Sequence, residues 1–288
     1  ASPTLLLEIS PDKGKGDKGR WVDNIMEIVE TMAEMRRLRL KLAEPVGYVP
    51  TMGYLHNGHL ALVKRARDEN HSVVVSIFVN PAQFGPQEDF DSYPRDTQRD
   101  LALLEKEKID IVFMPSAIEV YPAQFDSWLE VGKVSERLEG ASRPGFFRGV
   151  ATVVAKLFNI VQPTKAYFGQ KDAQQAIVIR RVVVDLNMNL EIVTLATMRE
   201  PDGLAVSSRN TYLNSEERQA AVVLYQALSL AQQLWSRGEK DAEKIRQEMT
   251  RLIQQQLLAN IDYVSIADTE TLEELDEVSP PALVSLAV

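Results

Sequence analysis

The most restrictive feature of the sequence is the alternation of two patterns along the chain. Short apolar runs rich in Val and Ile occur at residues 46–50, 72–79, 109–115, 165–169 and 190–196. Stretches with apolar residues at helical spacing separate them, at residues 25–38, 58–70, 96–107, 149–162 and 172–186. Continuous β-branched runs are typical of strands covered on both faces, and alternating strands and helices favour right-handed crossovers in a parallel sheet. The pattern therefore predicts an α/β fold with a Rossmann-like, doubly wound parallel sheet.

The pattern changes near residue 198. Two consecutive helices are predicted at residues 215–237 and 240–258, followed by strands at 261–268 and 282–288 around an acidic segment. At the other end, the segment PDKGKGDKGR mixes glycine with charge and has nothing that could pack. We therefore expect a flexible extension at residues 1–24, a Rossmann-like domain at 25–197 and a smaller C-terminal α+β domain at 198–288.

Composition narrows the range of partners. The chain of 288 residues has a formal net charge of −9, which disfavours nucleic acid as a partner because phosphate neutralisation needs a basic face. Cysteine is absent and only three histidines occur, which leaves little for a zinc site. No apolar run approaches the roughly 20 residues of a membrane helix, and no secretory signal is evident. A cytoplasmic protein without membrane or nucleic-acid partners is expected.

The most specific local motif is PTMGYLHNGH at residues 50–59, where the first apolar run should pass into a helix. In a doubly wound sheet this junction lies at the carboxyl edge, where ligands bind. His56 and His59 are three residues apart, so at a helix start they project on one side, beside N–H groups that attract phosphate. Gly53 and Gly58 allow close approach to a ligand. The alternative is that the histidines only cap the helix and the glycines only form turns.

Three further polar loops follow predicted strands or the domain junction. Gln83 lies in the long loop 80–96, and its amide could bind hydroxyl and carboxylate groups. In FGQKDAQQ (168–175), Lys171 could bind phosphate, Asp172 could cap the next helix, and Gln175 lies one turn on. Arg209 and two hydroxyls of SSRN (207–210) could enclose a polyphosphate. The chain has neither a Walker P-loop nor a G-x-G-x-x-G motif, so these loops indicate nucleotide chemistry of the HxGH type.

At these residues the sequence resembles the pantoate–β-alanine ligase family of the HxGH nucleotidyltransferase-like superfamily. The resemblance runs from about residue 25 to 288 and includes VPTMGYLHNGH, SIFVNPAQF, YPRD, LEGASRPGFFRG, FGQKDAQQ and DGLAVSSRN, in family order. It implies that pantoate attacks the α-phosphate of ATP, releasing pyrophosphate, and that β-alanine then attacks the pantoyl adenylate to give pantothenate and AMP. It also implies Mg²⁺, a homodimer, and a C-terminal domain that acts as a lid.

The resemblance assigns residue roles as well. It implies catalytic roles for His56, His59, Lys171, Ser207, Ser208 and Arg209, with His59 as proton donor, and pantoate or β-alanine binding by Gln83 and Gln175. The implied ATP-binding residues are Met52, Gly53, Tyr54, Leu55, His56, Asn57, Gly58, His59, Gly169, Gln170, Lys171, Asp172, Met198, Val206, Ser207, Ser208 and Arg209. Asp100 aligns with one metal contact of the family.

The segment LEGASRPGFFRG resembles a mobile flap, and its Arg143 and Arg148 are candidates for transient phosphate contacts. A cover is expected because an acyl adenylate hydrolyses if water reaches it. Two other functions stay open at this point. One is a nucleotidylyltransferase that leaves the nucleotide on its product, and the other is a non-catalytic nucleotide-sensing module.

Overall fold

The computed structural model describes residues 26–288, so the predicted extension at residues 1–24 lies outside the described residues. Six parallel strands form the main sheet: β1 (Glu27–Val29), β2 (Val46–Thr51), β3 (Ser72–Ile77), β4 (Ile111–Phe113), β5 (Lys165–Gly169) and β6 (Glu191–Leu195). Their order across the sheet is β1-β4-β3-β2-β5-β6. The predicted α/β fold with a Rossmann-like parallel sheet is confirmed.

Helices cover both faces of this sheet. They are α1 (Met32–Arg39), α2 (Asn57–Glu69), α3 (Thr97–Lys106), α4 (Ala117–Val120), α5 (Glu139–Ser142), α6 (Phe146–Val161) and α7 (Ala173–Asp185). Val73 and Val75 of β3 pack with α2 and α3, whereas Val74 between them packs with α1, α6 and α7. Successive strand side chains point to opposite faces, so a run in which every residue is apolar requires two covered faces.

The strand order reverses direction between β2 and β5. The chain runs from β2 to β3 and β4 on one side, and from β5 to β6 on the other. β2 and β3 are paired over six residue positions, but β2 and β5 only at Gly47–Lys165 and Tyr48–Ala166. The two central strands therefore separate toward their carboxyl ends. This opening is the topological switch point at which ligands of open α/β sheets bind.

The first element of the described chain differs from the prediction. Helical spacing predicts one helix over residues 25–38, but residues 27–29 form an edge strand paired with β4, and α1 begins only at Met32. Thr31 caps that helix, since its side chain accepts a hydrogen bond from the N–H of Glu34 at 3.2 Å. A three-residue strand is too short to show a period of two, and its pairing partner lies far away in the sequence, at residues 111–113.

The C-terminal region packs around a separate apolar cluster. It contains α8 (Ser215–Ala220), α9 (Val223–Ser236), α10 (Ala242–Ile253) and the antiparallel pair β7 (Tyr263–Asp268) and β8 (Ala282–Ala287). The helix predicted at residues 215–237 is broken at 221–222 into α8 and α9. Short 3₁₀ helices lie at Pro81–Gln83, Lys133–Ser135, Gln170–Asp172 and Ser208–Tyr212. Within residues 26–288, no helix combines the length and apolar character needed to cross a membrane.

Candidate active site

The loop after β2 turns sharply before α2 begins. Gly53 and Tyr54 have left-handed backbone, with φ of 83° and 49°, a conformation that glycine adopts at little cost. His56 is the N-cap of α2, and its Nδ1 accepts a hydrogen bond from the N–H of Gly58 at 3.1 Å. A Cβ at position 58 would lie 2.9 Å from the His56 ring. Glycine at this position therefore leaves the space that the ring occupies.

The two histidines of the motif are stacked on each other. Their ring centroids are 3.9 Å apart, and the Nδ1 of His59 accepts the backbone N–H of His56 at 3.4 Å. A neutral imidazole accepts at one nitrogen and carries its hydrogen on the other. Each ring thus caps the helix with Nδ1 and retains an Nε2–H donor for a ligand. Capping and ligand binding are compatible in this arrangement.

Burial keeps both rings neutral. It lowers the pKa of His59 to about 3, with the nearby His56 adding to the effect. Burial also lowers the pKa of His56, and the Lys171 ammonium lowers it further. A neutral His59 ring can offer a hydrogen bond from Nε2–H, and the proton-donor role that the family resemblance implies stays a prediction.

Asp100 holds the loop that carries the histidines. It lies on α3 with its side chain 1% exposed, and its two carboxylate oxygens accept the N–H groups of Tyr54 and Leu55, each at 2.7 Å. The neighbouring Arg99 donates to the carbonyl of Leu55 at 2.9 Å. Asp100 does not line the cleft. Its environment fits a backbone clamp and does not favour the metal contact implied by the resemblance.

The loop after β5 places a cation opposite the histidines. Lys171 Nζ lies 3.1 Å from Asp172 Oδ1. The charge of Asp172 raises the pKa of Lys171 against the opposing effect of burial. Burial would raise the pKa of Asp172, but the charge and hydrogen bond of Lys171 bring it below its usual value. Asp172 occupies the N-cap position of α7, as predicted, but its side chain makes no capping hydrogen bond and pairs with Lys171 instead.

The SSRN segment faces the loop that follows β3. The Ser207 side chain accepts the N–H of Arg209 at 3.3 Å, and Ser208 Oγ lies 3.2 Å from the hydroxyl of Tyr93. Arg209 makes a two-pronged ion pair with Asp89, at 3.0 and 2.9 Å. The guanidinium expected to bind phosphate is therefore paired with the carboxylate of Asp89.

The predicted flap segment lies against the same loop. Arg143 forms ion pairs with Glu88 and Glu139, and its guanidinium lies 3.8 Å from the centre of the Phe146 ring. Arg148 Nε lies 3.5 Å from Glu130 Oε1. Neither arginine lines the cleft. Both guanidinium groups have carboxylate partners in this arrangement, and their phosphate contacts stay a prediction.

Most of the predicted site residues meet in one cleft above the carboxyl ends of β2, β3, β5 and β6. Those that line it are Met52, His56, Gly58, His59, Gln83, Gly169, Lys171, Asp172, Gln175, Met198, Val206, Ser207, Ser208 and Arg209. Gly53, Tyr54, Leu55, Asn57 and Gln170 are outside this lining, and Leu55 is fully buried in the core. They belong to the turns that carry the lining residues.

The lining also includes residues to which the sequence motifs assigned no role, among them Asn80 and Tyr93. Asn80 is 1% exposed and lies beside Gln83, and Tyr93 contacts Ser208. Both occur within recognised motifs, NPAQF and YPRD, which are the available signal. Apolar side chains of α6, at positions 150, 153, 154 and 157, complete the wall of the cleft.

The cleft offers few protein ligands for a Mg²⁺ ion. Among residues 26–288, no group of three or more His, Cys, Asp or Glu could hold a metal ion. Of the described residues that line the cleft, Asp172 alone is acidic, and it is paired with Lys171. Mg²⁺ binds through few carboxylates plus substrate phosphates and keeps several waters. The residues therefore suit a magnesium ion carried by a nucleotide, with at most Asp172 as a protein contact.

An HxGH motif at the switch point of a doubly wound parallel sheet defines the class: an HxGH nucleotidyltransferase-like protein. Residues 24–288 match the family model described as Pantoate-beta-alanine ligase. The chain therefore belongs to the pantoate–β-alanine ligase family, as the sequence motifs predict.

Individual relatives agree with this assignment. The chain is 60% identical to a pantothenate synthetase of Herpetosiphon aurantiacus over 264 residues, covering 91% of this chain and 95% of that protein. The crystal structure of a pantothenate synthetase from Thermus thermophilus is similar with a TM-score of 0.86 at 47% identity, over 91% of this chain and 95% of that one. A pantoate–β-alanine ligase from Francisella tularensis, complexed with Beta-gamma ATP and Beta-alanine, has a TM-score of 0.73 at 33% identity, over 92% and 98%.

Proposed function

We propose that this protein condenses pantoate with β-alanine at the expense of ATP, through a pantoyl-adenylate intermediate, releasing AMP and pyrophosphate. The observation that carries the proposal is the composition of the cleft. Its lining combines groups suited to phosphate binding, namely two histidines, a lysine, an arginine and two serines, with two glutamines and apolar side chains of α6. The Francisella relative binds a nucleotide and β-alanine, which supports the choice of substrates.

The first step needs charge neutralisation more than covalent catalysis. The pantoate carboxylate attacks the α-phosphate in line, and the bond to the pyrophosphate oxygen breaks. His56 and His59 donate hydrogen bonds from Nε2–H, and the Lys171 ammonium stabilises negative charge that develops on the phosphates. Ser207, Ser208 and Arg209 bind the departing pyrophosphate. Arg209 must exchange its carboxylate partner for phosphate oxygens as the nucleotide binds.

The second step transfers the acyl group. The neutral amine of β-alanine attacks the carbonyl carbon of the adenylate, and the bond to the AMP oxygen breaks. The nitrogen releases one proton to water or to the departing phosphate as the amide forms. Gln83 and Gln175 bind pantoate oxygens, while the apolar wall of α6 accommodates the two methyl groups of pantoate. Amide side chains orient the carboxylate without adding a cation that would weaken it as a nucleophile. The C-terminal region, as a lid, excludes water from the adenylate.

Magnesium would enter on the nucleotide and would neutralise phosphate charge when bound. The residues that would hold the phosphates of the magnesium-bound nucleotide are His56, His59 and Lys171. Homodimerisation stays a prediction from the family resemblance. The cytoplasmic location and the domain boundaries at residues 24 and 197 stay predictions from composition and from the sequence pattern.

Product analysis tests this proposal directly. The protein is incubated with Mg²⁺, ATP, pantoate and β-alanine, each substrate is omitted in turn, and AMP, ADP and pyrophosphate are measured. We expect AMP and pyrophosphate to accumulate in equal amounts only in the complete mixture, with enzyme-bound pantoyl adenylate when β-alanine is absent. Release of ADP, or a product that retains the nucleotide, would refute this mechanism, the latter in favour of a nucleotidylyltransferase.

A further inference from the structure

A chain of hydrogen bonds connects Tyr121, which lies outside the cleft lining, to Gln83 within it. The Tyr121 hydroxyl donates to Asn80 Oδ1 at 2.8 Å, and Asn80 Nδ2 donates to Gln83 Oε1 at 3.0 Å. The other end of the glutamine amide, Nε2, lies 3.3 Å from Met52 Sδ at the cleft wall. We propose that Tyr121 is a positioning residue that, through Asn80, keeps the NH₂ group of Gln83 toward the substrate.

The direction of this chain is set by two backbone groups. The N–H of Ala82 donates to Asn80 Oδ1 at 3.3 Å, and the carbonyl of Gly149 accepts from Asn80 Nδ2 at 3.2 Å. A backbone N–H can only donate and a carbonyl can only accept. Reversing the Asn80 amide would therefore oppose its NH₂ group to the N–H of Ala82 and its oxygen to the carbonyl of Gly149. Asn80 Nδ2 in turn donates a hydrogen bond to Gln83, and Oε1 is the only acceptor atom of that side chain.

Tyr121 is itself held in place by aromatic packing. Its ring lies 5.0 Å from the ring of Phe125, 6.1 Å from that of Trp128 and 6.4 Å from that of Phe78, centroid to centroid. The Tyr121 hydroxyl is the donor in its hydrogen bond to Asn80 because an amide oxygen can only accept. Burial raises the pKa of Tyr121, which keeps the hydroxyl protonated. The chain of hydrogen bonds therefore begins at the Tyr121 hydroxyl, a donor, and ends at the Gln83 NH₂ group, also a donor.

The consequence concerns substrate recognition. A ligand group that meets Gln83 encounters an NH₂ group, so it must present an acceptor, such as a carboxylate or hydroxyl oxygen. This inference rests on the proposed function in one respect, that pantoate is the ligand of Gln83. The orientation of the amide itself follows from the contacts of Asn80 alone.

Tyr121→Phe removes the first donor and leaves the ring packing intact. We expect the KM for pantoate to rise about fivefold, the effect of one neutral hydrogen bond, while the KM for ATP stays within about twofold. Tyr48→Phe is the matched control, since the buried Tyr48 hydroxyl bonds Ser76 Oγ at 2.7 Å and Tyr48 does not line the cleft. That variant should lose stability without a change in either KM.

Asn80→Asp makes a stronger test of the same chain. It replaces Nδ2 by an oxygen that repels Gln83 Oε1, so the glutamine amide should turn and present its oxygen to pantoate. We expect a rise in the pantoate KM of more than about tenfold, larger than in Tyr121→Phe. A pantoate KM that is unchanged in Tyr121→Phe, or a loss shared equally by pantoate and ATP, would overturn the proposal.

A second readout separates this inference from the proposed function. Side-chain amide ¹H–¹⁵N signals of Gln83 are identified in the ligand-free protein by their absence from Gln83→Glu. In Tyr121→Phe we expect these signals to shift and to exchange faster with solvent, whereas Tyr48→Phe leaves them unchanged. Unaltered signals in Tyr121→Phe overturn the positioning role. If wild-type protein shows no pantoate-dependent turnover but the signals respond, only the proposed substrate fails.

Discussion

Replacing Asp100 should show whether its carboxylate holds the backbone of the loop or binds a metal ion. The carboxylate accepts the N–H groups of Tyr54 and Leu55, both at 2.7 Å, and is 1% exposed. A hydrogen bond to a charged group contributes about 1.5–3 kcal/mol, so Asp100→Ala should lower the free energy of unfolding by about 3–6 kcal/mol. Asp100→Asn keeps one acceptor but turns an NH₂ group toward a backbone N–H. We expect it to cost about 2–3 kcal/mol.

The same substitution should affect the nucleotide site, because the clamped residues lead directly into His56 and His59. Urea unfolding measures the stability. Initial rates at varied ATP and Mg²⁺ concentrations give the KM for ATP and the Mg²⁺ concentration at half-maximal rate. For Asp100→Asn we expect a higher KM for ATP and an unchanged Mg²⁺ concentration at half-maximal rate. Asp96→Ala is the control on the same helix, since Asp96 Oδ1 accepts the N–H of Arg99 at 3.1 Å and caps α3. It should cost about 1 kcal/mol and leave the ATP KM unchanged.

Two results would refute the reasoning about Asp100. Wild-type stability and ATP KM in Asp100→Asn would show that the clamp is dispensable. A roughly tenfold increase in the Mg²⁺ requirement, with normal stability, would show that the carboxylate acts on the metal.

Three further predictions concern the charged groups of the cleft. His59 has a folded-state pKa of about 3 against an ordinary 6.5, so the unfolded chain binds more protons between these values and stability falls as pH drops through this window. At about pH 4.5 the free energy of unfolding should be about 3 kcal/mol lower than at about pH 7 because of His59. His59→Gln should remove this part of the pH dependence, as measured by urea unfolding. The same change of unfolding free energy with pH in both proteins would contradict it. Lys171→Ala should reduce adenylate formation at least about a hundredfold with little change in the thermal midpoint, and near-normal turnover would exclude Lys171 from its role. Asp89→Asn frees Arg209 from its ion pair. Because such pairs contribute up to about 1 kcal/mol, the Kd for ATP measured by calorimetry should fall about twofold to fivefold. Weaker ATP binding would show that Asp89 instead holds Arg209 in position for phosphate.

The amino-acid pattern alone was enough to predict five of the six strands of the main sheet, β2 to β6. In the run SVVVSI every residue except the two small serines is apolar, and a strand covered on both faces buries such a run. The positions of His56, His59 and Lys171 followed for the same reason. Each lies just after a recognisable strand, and carboxyl ends of parallel strands share one edge of a sheet. Local periodicity and element order therefore determined both the architecture and the place of the site.

Features that depend on residues distant in the sequence could not be predicted from local sequence patterns. β1 exists because β4 pairs with it, although its own residues fit a helical spacing. Asp100 and Asn80 are ordinary polar residues in the sequence, and their roles arise from backbone groups that the fold brings to them. The pairing of Arg209 with Asp89 joins residues 120 positions apart. Hydrogen bonds and ion pairs at fixed distances require a three-dimensional arrangement, so the sequence determined which groups are present and the tertiary structure decided how each is oriented.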